Sequence, residues 1–117
     1  MPKIFTCGSS NRRTQFTYEG NVQNGVILKF DSGDIKVTSG FLNAAINQFR
    51  GKVIRGGFSM TRPTPGGFGE WVQNQSTKFN KTSLTPRHGS FIAAILREAG
   101  YLKCTLDGNA VILDFNA

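Results

Sequence analysis

Apolar and polar positions change their period twice along this chain, and those changes mark its elements. Lys3 to Cys7 reads as a short strand, Gly8-Ser9-Ser10-Asn11 as a turn cluster, and Arg13 to Tyr18 alternates as a second strand. After punctuation at Gly20-Asn21 and Asn24-Gly25, the runs VILKF (26–30) and DIKVT (34–38) flank Asp31-Ser32-Gly33, which predicts a hairpin. The N-terminal third is expected to be a small antiparallel β element.

Over 38–51 the period lengthens. Phe41, Leu42, Ala45, Ile46 and Phe49 fall on one helical face, Thr38 or Ser39 can cap the start, and Gly51 can end it. KVIRGGFSM (52–60) predicts a short strand that loses regularity at Gly56-Gly57, followed by a loop through TRPTPGG (61–67). FGEWVQNQS (68–76) predicts a short helix with Phe68, Trp71 and Val72 inward, and the polar, basic stretch TKFNKTS (77–83) a connector. In SLTPRHGSFIAAILREAGYL (83–102), Thr85 is the expected N-cap, Pro86 fits the first helical position and Gly100 supplies the stop. Phe91, Ile92, Ile95, Leu96 and Ala99 then fill one face, with Arg87, Ser90, Ala94 and Arg97 opposite. YLKCTL and AVILDF alternate around Asp107-Gly108-Asn109, a tight-hairpin signal.

The 117 residues suit a single domain, and 38% hydrophobic content is too apolar for a disordered chain. No window approaches a membrane span, and the first 30 residues lack a secretory signal, so a cytoplasmic protein is expected. Cys7 and Cys104 follow no metal spacing. They are read as half-buried reduced thiols, with a disulfide left open. Charge changes the picture more. The net +7 is distributed as +2 over residues 1–49, +6 over 50–90 and −1 over 91–117. A basic block between neutral flanks points to a polyanion partner.

From residue 39 the order is helix, strand, helix, helix, strand, tight turn, strand. With LTPRHGSFIAAILREAGYLKCTLDGNAVILDF closing it, this resembles the winged helix-turn-helix superfamily over residues 39–115. The resemblance implies an α+β fold of three helices and a small antiparallel sheet: a winged-helix-like core at 39–117 and an N-terminal β extension at 1–38. It also implies a recognition helix at 86–99 and a nucleic-acid partner, duplex DNA. The connector between the middle helices is longer than a tight helix-turn-helix turn, and the N-terminal β segment lies outside the superfamily core. The alternative is a mixed sheet built from both ends of the chain, with the helices on one face.

The candidate nucleic-acid contacts are Arg55, Arg62, Lys78, Lys81, Arg87, Ser90 and Arg97, with Lys103 and Asn109 of the hairpin secondary. Five phosphate contacts would give a log–log salt slope of about −4 to −5. Each residue also has a plain structural reading. Arg97 in a last turn suits the helix dipole without any ligand, whereas Arg87 in a first turn opposes it, which favours an external anion. Lys78 and Lys81 also suit a solvated loop, and the small residues Gly89, Ser90, Ala93 and Ala94 also suit packing against another helix. Phe58, Phe68, Trp71 and Phe79 interleave with Arg62, Lys78 and Lys81, a pattern that fits either stacking on single strands or a core.

His88 is the only histidine, so histidine metal clusters are excluded, and its angular position suits a core or boundary residue. Glu70, Arg87 and His88 could form a metal-independent ribonuclease site only if the fold brings them together. No cofactor, metal or catalytic set is expected, and the chain is read as a non-enzyme. The alternative to nucleic-acid binding is a protein-interaction or homodimerisation module using the N-terminal strands as an edge. The long Gly/Pro loop around 56–69 is a further place for a site.

Overall fold

In a computed structural model, residues 3–7, 13–62, 64–80, 83–108 and 110–116 are described, with Phe79 by its backbone alone. Alternation in the N-terminal third makes four strands, β1 (Lys3–Phe5), β2 (Gln15–Asn21), β3 (Gly25–Phe30) and β4 (Gly33–Val37), antiparallel in that order. Their register sets Tyr18 beside Leu28, Leu28 beside Ile35, and Val26 beside Val37, so one face is apolar and buried. On the other face Lys29 lies 2.8 Å from Asp34 and 3.7 Å from Glu19. The sheet's central cation is thereby neutralised within the sheet.

Helix α1 (Ser39–Phe49) starts where Thr38 turns its Oγ1 to accept the N–H of Phe41 at 3.2 Å. Phe41, Leu42, Ala45, Ile46 and Phe49 are its buried residues, the face that the sequence period selects. Strand β5 (Val53–Arg55) follows, then a loop to α2 (Phe68–Phe79). The helix runs through the first residues of the segment expected to be a connector, because Val72 and Ser76 continue its buried face. Ser76 Oγ accepts the N–H of Leu84 at 2.9 Å. Buried Asn80 ends the helix and ties it back across the chain: Oδ1 accepts from Thr38 N and Nδ2 donates to the Lys36 carbonyl. Phe49, Phe68, Trp71 and Phe115 form an aromatic cluster between the helices and the second sheet.

Helix α3 (Pro86–Glu98) leads into β6 (Lys103–Asp107) and β7 (Ala110–Asp114), which pair with β5 in the order β5-β7-β6. The fold is therefore α+β, with three helices and two small antiparallel sheets rather than one. The N-terminal β element is a four-stranded sheet that covers α3: Phe91 meets both Phe16 and Phe30 edge-on, each at 4.9 Å between ring centroids.

One expectation is corrected. Cys7 and Cys104 are not reduced thiols but a disulfide, with Cα atoms 5.9 Å apart. The reason is topological: the end of β1 and the start of β6 are edges of different sheets that the fold brings side by side. Of the two readings of the small residues of α3, packing holds for Gly89, Ala93 and Ala94, which are buried. No helix among the described residues is long and apolar enough to cross a membrane.

Candidate nucleic-acid interface

The loop between β5 and α2 organises the cationic side chains. It is closed at its base, where the Gly69 N–H donates to the Gly56 carbonyl at 2.7 Å and the Gly67 N–H to the Thr64 carbonyl at 2.9 Å. Gly69 is required there, because a Cβ would collide with the Gly57 carbonyl oxygen, and Gly57 itself has φ of 62°. The loop is anchored to α3 by the Phe58 ring, which packs over Gly89. Glu70, the one acid nearby in sequence, is turned inward to the loop: its Oε1 accepts the Gly66 N–H at 3.1 Å.

Two cavities flank this loop. One, of about 350 Å³, is walled by Arg55, Phe58, Ser59, Arg62 and Thr64 against the β7 residues Ala110 and Val111. The other, of about 360 Å³, is lined by Met60, Arg87, His88, Phe30 and Phe91. Arg62 and Met60 are two residues apart, so both cavities border this one loop. No carboxylate lines either cavity. Arg55, Arg62 and Arg87 are exposed and form no ion pair among the described residues.

Of the other candidates, Ser90 and Arg97 are engaged within the fold. Ser90 is half-buried and its Oγ donates to the Arg87 carbonyl at 2.8 Å, which steadies the first turns of α3. Arg97 sits at the opposite end of the helix, about 15 Å along the axis from Arg87. There it is engaged within the fold: Nη2 donates to the Phe5 carbonyl at 2.8 Å, Nε to Glu98 at 3.2 Å, and Nη1 approaches Cys7 Sγ at 3.7 Å. Lys78 is exposed in the last turn of α2. Lys103 is exposed on β6, paired in register with Asp114. Lys81, Asn109 and the Phe79 side chain lie outside the described residues. Ser59 and Thr64, which line the Arg55–Arg62 cavity, carry no sequence signal of their own, although the Gly/Pro loop that holds them does.

His88 starts the helix. Its Nδ1 accepts the N–H of Thr85 at 3.0 Å while Thr85 Oγ1 accepts the N–H of His88 at 3.4 Å, a reciprocal capping box. This bond assigns the hydrogen of the neutral ring to Nε2. Burial, then the neighbouring Arg87 cation, holds the imidazole below its ordinary pKa. Glu70 does not line the cavity that holds His88 and Arg87. Among the described residues no group of three or more His, Cys, Asp or Glu side chains could hold a metal ion.

Comparison of the chain with family models, with curated proteins and with solved structures returned no match.

Proposed function

We propose that this chain binds nucleic acid, duplex DNA in the first instance, gripping the phosphate backbone with Arg55, Arg62 and Arg87. One observation carries the reading: Arg55 and Arg62 wall one cavity, Arg87 opens onto the next, and neither cavity has a carboxylate in its lining. Cations arranged without local acids gain their compensation from an outside polyanion.

The element order adds support. From Ser39 the chain runs α1, β5, α2, α3, β6, β7, with the last strand in the middle of its sheet. This order of helix, strand, two helices and a terminal hairpin resembles the winged helix-turn-helix arrangement. The mode of contact differs from a helix laid in the major groove, because the N-terminal sheet occupies one flank of α3. What remains for DNA is the first turn of α3 with Arg87, the loop with Arg62, and the sheet edge with Arg55. Such a surface reads backbone position more than base sequence.

Fluorescence anisotropy with a labelled random duplex of about 20 base pairs, long enough to span several phosphates, tests the reading. The double variant Arg62→Glu, Arg87→Glu is expected to abolish binding at low salt while keeping the wild-type circular dichroism. Wild-type affinity in that variant would remove the proposal. Running single-stranded DNA and RNA in parallel ranks the ligand classes.

A further inference from the structure

Among the described residues each sheet ends in an outer strand with one unpaired edge, and β1 and β6 both line one groove. β1 is the outer strand of the first sheet and β6 of the second. A cavity of about 650 Å³ is lined on one side by Ile4 to Cys7 and on the other by Cys104 to Leu106, with Arg13, Arg97 and Glu98 completing it. The Cys7–Cys104 disulfide joins the two sides.

The antiparallel ladders fix which backbone groups face this groove. Thr6 donates its N–H to the Thr14 carbonyl, so by alternation the N–H and C=O of Phe5 point away from β2. The Phe5 carbonyl is already taken by Arg97. On the other side, Val111 gives its carbonyl to Gly56 N, on the side away from β6. Its register partner Leu106 therefore turns its own N–H and C=O away from β7, to the open edge. Among the described residues nothing bonds them.

Side chains match this opening. The large apolar residues left exposed among those described are Phe5, Val53, Met60 and Leu106, and Phe5 and Leu106, at 38% and 47% exposure, share the groove. Arg13 lies over the Phe5 ring, 4.3 Å from its centroid, and forms no ion pair among the described residues. Arg97, by contrast, is held by Glu98.

We infer that this groove takes an extended peptide segment of a partner protein, added as a strand to the free edge of β6. The peptide backbone bonds to the N–H and C=O of Leu106, alternate apolar side chains cover Phe5 and Leu106, and one carboxylate meets Arg13. Glu98 is paired with Arg97, which leaves Arg13 as the cation in this lining without an ion pair among the described residues, so a peptide with a single acid fits it.

The test is selection of a random seven-residue peptide library, displayed on phage, on the immobilised oxidised protein. Enriched sequences are expected to alternate apolar and polar residues and to carry Asp or Glu. One enriched peptide, synthesised and titrated calorimetrically, is expected to lose about tenfold or more in affinity against Leu106→Pro and against Arg13→Glu. Leu106→Pro removes the outward N–H while Thr105 and Asp107 keep the hairpin bonds, so the fold is expected to be retained, which circular dichroism checks. If that variant fails to fold, Arg13→Glu, an exposed change, decides alone. Absence of an acidic alternating consensus, or equal binding to the variants, overturns the inference. So does a dimer in sedimentation that Arg13→Glu dissolves, which would give the groove to a second copy. Loss of duplex binding in Arg13→Glu would give it to nucleic acid and overturn it as well.

Discussion

Phe16 of β2 and Phe91 of α3 meet edge to face, with 4.9 Å between their ring centroids. This contact seats the N-terminal sheet on α3, the helix whose first turn the proposal offers to DNA, and it turns that part of α3 into core. Phe91 also meets Phe30 of β3, and it is 7% exposed. Phe91→Ala is therefore expected to cost about 3–5 kcal/mol of unfolding free energy. Urea denaturation followed by circular dichroism measures it, and a cost under about 1 kcal/mol, the scale of a surface substitution, would mean that the sheet does not depend on this contact.

His88 gives stability a pH dependence whose sign follows from its cap. Its pKa is lowered in the folded chain, so the unfolded chain binds the proton at higher pH than the folded one. The contribution is fully present above the ordinary histidine value of 6.5 and is lost as pH falls from there through the lowered folded value. Protonation also removes the acceptor for the Thr85 N–H. Glutamine at this position keeps a capping-box acceptor without a titrating ring. His88→Gln is expected to match the wild type near neutrality and to lose stability less steeply toward pH 5. Parallel curves for the two proteins would contradict the assigned role.

The Cys7–Cys104 bridge closes a loop across 97 positions. Constraining so long a segment of the unfolded chain is expected to contribute about 2–5 kcal/mol. A thiol titration of the denatured, unreduced protein should find no reactive thiol, and both cysteines after reduction. Cys7→Ser with Cys104→Ser should lower the urea midpoint. Two reactive thiols before reduction would contradict the bridge.

Local pattern is enough for some elements and not for others. The buried face of α1 and the Thr85-Pro86 start of α3 are both readable from residues within one or two helical turns. The hairpin around Asp31 to Gly33 is equally local. The burial of Ala93 and Ala94 is not, because small residues suit an open flank and a tight interface equally well. Only the partner across the gap decides between them; on the Gly89 side of α3 that partner is Gly69 of α2 and the Phe58 ring, which lie some twenty to thirty residues earlier in the chain. The disulfide escapes a sequence reading for the same reason. Among the cations, Arg55, Arg62 and Arg87 are legible by type and position, but their grouping around one loop depends on Gly69 closing that loop on Gly56. Arg97 joins them by type alone, and the fold assigns it to β1 and Glu98.

The central claim is that Arg55, Arg62 and Arg87 act together on a phosphate backbone. The measurement that tests it most directly is the salt dependence of binding to a random DNA duplex, compared between the wild type and the triple alanine variant of these three residues. The expected wild-type slope of log affinity against log salt is about −3 or steeper, and the variant's should be shallower by about 2.7, close to 0.9 for each phosphate no longer neutralised. Equal slopes for the two proteins, or a wild type whose binding ignores salt, would contradict the account.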